Sequence, residues 1–172
     1  TPMTAEERRA AIIEILAQST QPVSAAALAG RFGVSRQLIV GDVALLRAGG
    51  ASITAAARGY LLRRERTGLL RQAACRHRAE DMEQELYIMV DNGCTVLDVI
   101  VEHPVYGQLT GVLQLASRYD VQQFILRANA AQPLSLLTEG VHLHTLSCPG
   151  EEAFRRVVEA LAQAGFLLEQ GD

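Results

Sequence analysis

The sequence predicts an α+β chain in two parts: a winged helix-turn-helix over residues 1–66 and a two-layer α/β sandwich over residues 67–172. Three observations carry this expectation. Three short helical patterns run into a small glycine-turned hairpin. The polar connector Arg63-Arg-Glu-Arg-Thr-Gly68 follows, and beyond it strand and helix patterns alternate without repeats or low-complexity runs. The charge divides at the same place: residues 1–66 hold nine Arg against five acids, and residues 67–172 hold seven Arg against fourteen. A basic part joined to an acidic part suggests a phosphate-facing module attached to one that should keep off nucleic acid.

In the first part, Thr4-Ala-Glu-Glu7 matches a capping box, and Ile12, Ile13 and Leu16 continue the helix at helical spacing. Ser19-Thr-Gln-Pro22 is a turn. Ser24 caps a second helix, Ala25 to Phe32, which Gly33 ends. Ser35 caps a third, with Ile39, Val43 and Leu46 on one face and a stop at Gly49-Gly50. Two strands, Ala51 to Ala56 and Tyr60 to Arg63, are joined by Arg58-Gly59. The third helix is the one expected in a major groove. Ser35, Arg36 and Gln37 at its start are the candidates for phosphate and base-edge contacts, and Arg58 at the hairpin tip is the candidate for a neighbouring phosphate. Gly41 stands in the middle of that helix, costs about 1 kcal/mol relative to Ala, and offers no side chain to DNA.

In the second part the patterns predict a strand from Leu69 to Cys75, a helix from Ala79 to Val90, and a strand from Thr95 to Val101. A helical region is expected from Gln108 to Ala130, broken near Tyr119-Asp120. It precedes the strand Gly140-Val-His-Leu-His-Thr-Leu146, a helix from Glu151 to Ala164, and a last strand from Phe166 to Leu168. Cys75, Cys94 and Cys148 are odd in number and widely spaced. They argue against a disulfide framework or a zinc ribbon and read as buried thiols. No run of about 18 uncharged apolar residues supports a membrane span, and no apolar core behind a basic start supports secretion, so the cytoplasm is expected.

The chemistry concentrates in four residues. On a strand, positions i and i+2 share a face, so His142 and His144 stand side by side, about 6.5 Å apart along the backbone. Such a pair suits a metal, and it also suits a solvated sheet surface. His77 closes the first strand of this part and Glu85 lies on the helix after it, so a strand end turning into a helix can bring both over one spot. Three imidazoles and one carboxylate match the donor preferences of zinc, nickel or iron. His103 precedes Pro104 and is held extended at a strand end, with Tyr106 and Gly107 in the following loop. It suits either a ligand-pocket wall or a turn fixed by hydrogen bonding.

The segments "RHRAEDMEQELYIMVDNG", "VIVEHPVYGQL" and "GVHLHTL" resemble the signatures of the three-histidine (3H) domain, found after a winged helix in niacin-responsive transcriptional repressors. "GVSRQLIVGDVALLRAGG" and "ARGYLL" resemble the DNA-binding half of the same family, so the resemblance spans essentially the whole chain. It implies a homodimeric repressor of NAD biosynthesis or niacin uptake genes whose second domain is an HPr-like open-faced sandwich. Nicotinic acid is the implied co-repressor, and one divalent transition metal per chain the implied cofactor. By position, the family's metal ligands fall on His77, Glu85, His142 and His144, and His103 and Tyr106 become candidates for the effector. Gly41 departs from the basic or polar residue usual in the family's recognition helix.

Two other readings compete: a regulator sensing the metal itself, and a metal-dependent hydrolase tethered to DNA. Hydrolysis needs an open metal position with a separate general acid or base. Glu85 is already a candidate ligand, and only Glu83 or Asp81 stands nearby in sequence, so a non-enzymatic regulator is expected.

Overall fold

Helix α1 (Ala5–Gln18) starts where Thr4 Oγ1 accepts the Glu7 N–H at 3.1 Å. Helix α2 (Ala25–Phe32) is capped in the same way by Ser24, and Gly33 closes it in the left-handed region at φ 65°. Helix α3 (Arg36–Ala48) is capped by Ser35. Ile12 and Leu16 meet Leu28, Ile39, Val43 and Ile53 in one core, and burying each such side chain stabilises the unit by about 1.5–3 kcal/mol. Strands β1 (Ile53–Ala56) and β2 (Gly59–Leu62) form the wing hairpin, with Ile53 opposite Leu62 and Ala56 opposite Gly59. Val23 and Tyr60 exchange both backbone hydrogen bonds, at 3.0 and 2.8 Å, which ties the α1–α2 loop to the wing. A Cβ at Gly59 would overlap the Val23 backbone, so only glycine allows that approach.

The computed structural model describes residues 2–63, 68–129 and 140–168. The chain divides into two units, Thr1–Glu65 and Arg66–Asp172.

In the second unit, strands β3 (Leu69–Arg76), β4 (Thr95–His103), β5 (Gly107–Leu115) and β6 (Val141–Cys148) lie in the order β5-β4-β6-β3, every neighbouring pair antiparallel. Helix α4 (Met82–Asp91), entered through a 3₁₀ turn at Ala79–Asp81, packs with α6 (Glu151–Ala164). These two helices contact β4, and β3 and β6, respectively, forming the second layer of the sandwich; α5 (Arg118–Ala128) packs on α4. Leu167 adds one bridge to Cys75 beside β3, so the expected last strand is a single ladder step.

One expectation fails. The first part of the region expected to be helical from Gln108 is a strand: Gly107–Leu115 is β5, hydrogen-bonded to β4, and the helix begins only at Arg118, capped by Ser117, with Ala130 outside the described residues. The break falls before Tyr119-Asp120 rather than at it. The misreading has a local cause, and the strand itself carries a bulge. The register slips between Val96 and Asp98, and Gln114 opposite takes φ 58°. Leu109, Val112 and Leu113 fall at i, i+3 and i+4 and imitate a helix face, while Gly111 leaves a gap in the more buried row of Leu109, Leu113 and Leu115.

Candidate metal centre

Strand β6 alternates strictly, with His142, His144, Leu146 and Cys148 buried toward the helices and Val141, Leu143, Thr145 and Ser147 half-buried on the other side. Its register with β3 sets Cys75 opposite His142 and Ala73 opposite His144. His77, just past the end of β3, continues the inward phase of Ala73 and Cys75, and its side chain is buried. On α4 the buried residues are Glu85, Leu86, Met89 and Val90, so Glu85 occupies a core position in an otherwise apolar stripe. A carboxylate at 0 % exposure needs compensation.

Three imidazoles converge on it. Glu85 Oε2 lies 2.7 Å from Nε2 of both His77 and His142, and Oε1 lies 2.8 Å from Nε2 of His144. The rings of His77 and His142, and of His142 and His144, pack edge to face with centroids 4.8 Å apart. All four residues therefore meet at one buried point.

The far side of each ring fixes its tautomer. His77 Nδ1 donates to the Arg78 carbonyl at 2.7 Å, His142 Nδ1 to the Gly140 carbonyl at 2.8 Å, and His144 Nδ1 to the Asp98 carbonyl at 2.7 Å. Carbonyl oxygens only accept, so each Nδ1 carries its proton, and in a neutral ring the Nε2 lone pair then faces the carboxylate oxygens. Lone pairs facing lone pairs are repulsive. Either protons sit on the Nε2 atoms or a cation sits among them. His77 Nε2 is the sharpest case: it is buried, close to Glu85, yet off the alignment of a hydrogen bond. Backbone carbonyls orienting imidazoles by Nδ1 are the second layer of contacts that metal-binding histidines commonly have, and the donor set fits a borderline divalent metal.

Burial disfavours the cations of His77 and His144, but the facing Glu85 overrides it and raises both pKa values above the ordinary histidine range. Burial likewise opposes the Glu85 anion, yet His144, His142 and His77 hold its carboxyl well below the usual carboxylate range.

Cys75 joins the cluster unforeseen. Its Sγ and the Glu85 and His142 donor atoms lie within 4.8 Å of one another, and burial, reinforced by Glu85, pushes its thiol far up. The signal was its inward phase, two residues before His77.

His103 and Tyr106 lie elsewhere, on the β4–β5 hairpin. His103 Nδ1 accepts the N–H groups of Val105 and Tyr106 at 3.1 and 3.2 Å, and the two rings stack with centroids 5.0 Å apart. His103 thus pins a turn, while Tyr106 is exposed. A cleft of about 670 Å³ opens beside His77, lined by Arg76, Arg78, Asp81, Gly140 and Phe166 among others. Among the described residues, neither His103 nor Tyr106 lines it.

In the first unit, Arg36 and Gln37 are exposed at the start of α3, while the Ser35 Oγ accepts the Leu38 N–H at 3.1 Å. Arg58 is half-buried and donates to Gln21 Oε1 at 2.8 Å, so the wing-tip arginine is folded back onto the turn before α2. No pattern along the chain pointed to the anchor beneath α3. Asp42 is buried and accepts Arg8 Nε at 2.6 Å and Arg8 Nη2 at 3.0 Å, with Arg9 Nη1 at 3.5 Å. This fork-on-fork pair binds α1 to α3 and orients the helix that carries Arg36.

Comparison with known proteins gives the same division. The 3H domain family matches residues 70–170, and an HTH domain family matches residues 8–61. The chain is 43% identical over 168 residues to the probable transcription repressor NiaR of Thermotoga maritima, covering 96% of each chain. It is 42% identical over 168 residues to the transcription repressor NadR of Bacillus subtilis, covering 94% of this chain and 93% of that one.

Proposed function

Since the chain belongs to the 3H-domain family of helix-turn-helix transcription repressors, we propose that it represses genes of NAD supply, with nicotinic acid as co-repressor at a divalent transition metal held by His77, Glu85, His142 and His144. It is a DNA-binding regulator rather than an enzyme. One observation carries the metal: three Nε2 atoms converge on one buried carboxylate while every Nδ1 proton is committed to a backbone carbonyl. When bound, nickel, zinc or iron supplies an acceptor for a pyridine nitrogen, a donor of the borderline kind these metals take.

The effector's carboxylate needs its own partners. Arg76 and Arg78 border the cleft beside His77, and a guanidinium pairs with a carboxylate through two parallel hydrogen bonds. They serve this role better than His103, which is engaged within its own turn, and Tyr106 remains an exposed second candidate. Nicotinamide lacks the anion and binds more weakly. Operator DNA meets Arg36 and Gln37 on α3, with Ser35 at its cap and Arg58 on the wing, in a homodimer whose two recognition helices read two half-sites.

Effector and DNA sites belong to different units, so nicotinate must favour the DNA-competent state, and operator must raise nicotinate affinity by the same factor. Calorimetry of metal-loaded protein with nicotinate, nicotinamide and quinolinate, with and without operator, measures this cycle. Equal nicotinate binding to metal-free protein refutes the metal-bridged reading. Metal binding with no effect of any pyridine on operator affinity leaves a metal-responsive regulator instead.

A further inference from the structure

Cys94, one residue before β4, and Cys148, the last residue of β6, bring their sulfurs to 2.9 Å, and both side chains are buried. That separation is shorter than two thiols adopt at rest. The register explains it: Thr95 pairs with Ser147 and Val96 with Leu146, so Cys94 and Cys148 are the next cross-strand neighbours. Directly opposed residues of antiparallel strands hold their Cβ atoms about 4.5–5.5 Å apart, and a disulfide takes about 3.5–4.5 Å. A small shift of the α4–β4 turn closes the difference. Gly93, at φ 85° and with Pro149 the near neighbour of any added Cβ, is the residue before Cys94.

We propose that Cys94 and Cys148 form a redox modification site, a dithiol that a small peroxide converts reversibly into an intramolecular disulfide joining the α4–β4 turn to the β6–α6 turn. In the first step the Cys94 thiolate attacks one oxygen of hydrogen peroxide. The O–O bond breaks, hydroxide leaves and takes up the thiol proton as water, and Cys94 becomes a sulfenic acid. Cys148 sulfur then attacks Cys94 sulfur, the S–O bond breaks, and the departing hydroxide takes the Cys148 proton and leaves as a second water. Two thiols and one peroxide give one disulfide and two waters, with sulfur oxidised and peroxide oxygen reduced.

The surroundings set the rate and the choice of oxidant. Burial and the adjoining Cys148 push the Cys94 thiol up to about 12, while the Arg156 guanidinium favours its anion. Thiolate is therefore scarce and access narrow, so oxidation is slow and selects a small oxidant over a bulky disulfide such as oxidised glutathione. The bond closes a loop between residues 54 apart, and it spans from the end of the helix that carries Glu85 to the end of the strand that carries His142 and His144. Cys75, buried beside Glu85, is the internal reference thiol.

The test uses the full chain, treated with excess hydrogen peroxide, then denatured in a maleimide without reductant and weighed intact. The expected product carries one maleimide, on Cys75, and yields a crosslinked peptide containing Cys94 and Cys148; dithiothreitol restores three labelled thiols. Oxidation also raises the melting temperature of the second unit by roughly 10 °C. In Cys94→Ser and, separately, in Cys148→Ala, no intrachain crosslink forms and the peroxide-induced rise in melting temperature is lost. Three labelled thiols after peroxide, a disulfide between two chains, or sulfinic acid at either cysteine without a crosslink overturns the proposal.

Discussion

A Cβ on residue 140 would overlap the carbonyl oxygen of His77, so Gly140, at φ 90°, is the only residue type that lets β6 begin against the end of β3. The same glycine's carbonyl accepts His142 Nδ1 at 2.8 Å. One backbone position thereby seats two of the three histidines. Gly140→Ala is expected to destabilise the second unit by about 1–3 kcal/mol and to lower metal affinity, read by thermal unfolding and competitive chelation. A variant with wild-type melting and wild-type affinity would remove Gly140 from the construction of the site.

Metal content tests the ligands themselves. Wild-type protein is expected to bind one nickel, zinc or iron ion per chain, and His142→Ala, His144→Ala or Glu85→Gln to lose most of it by elemental analysis after dialysis. Full occupancy in the His142→Ala/His144→Ala double variant would refute the ligand set.

The pH dependence of the metal-free protein follows from the raised histidines and the lowered carboxyl. The stability supplied by protonated His77 and His144 is fully present below the ordinary histidine pKa of about 6.5 and is lost as pH rises through their raised values. The contribution of Glu85 runs the other way: it is present above the ordinary carboxylate range and lost as pH falls through its depressed value. Metal must displace the imidazole protons, so metal affinity rises with pH and binding releases protons, measurable by calorimetry in buffers of different ionisation enthalpy. Affinity independent of pH between 6 and 8, a range taken as roughly spanning histidine titration, would contradict the shared site.

Asp42, paired with Arg8 and more distantly with Arg9, makes the orientation of α3 depend on one buried carboxylate. Arg8, with burial opposing and Arg9 assisting, holds the Asp42 carboxyl below its usual range. That contribution is present above the unfolded carboxylate pKa and disappears as pH falls through the lower folded value. Asp42→Asn is expected to lower the melting temperature of the first unit and weaken operator binding while leaving metal content intact. Unchanged operator affinity in a folded variant would show that the pair does not set the recognition helix.

Recognition itself is tested on the exposed face of α3. Arg36→Ala is expected to weaken operator binding by roughly 1–3 kcal/mol if Arg36 reads a base, and affinity should fall steeply with salt. Gly41 has open space where a Cβ would go, so Gly41→Ala should stabilise α3 by about 1 kcal/mol. If that methyl also abolishes operator binding, DNA approaches the helix backbone at Gly41; if binding is retained, the glycine has no role in contact.

The sequence by itself determined the local and periodic features. Ser24, Ser35 and Thr4 announced three helix starts because capping depends on one side chain and an N–H three residues on. Alternation in β6 set His142 and His144 on one face for the same local reason. Sequence did not announce β5, where Leu109, Val112 and Leu113 imitate a helix face and Gly111 leaves a gap in the strand alternation. Nor could it announce that Glu85 is fully buried, that Cys75 lies within the donor cluster, that Asp42 anchors Arg8, or that Cys94 and Cys148 touch. Each of these is a meeting of residues from different elements, decided by strand register and by which face of a helix lies on the sheet. Those long-range choices are set by packing of the whole unit rather than by neighbours along the chain, so the tertiary structure alone turned four candidate ligands into three imidazoles oriented on one carboxylate.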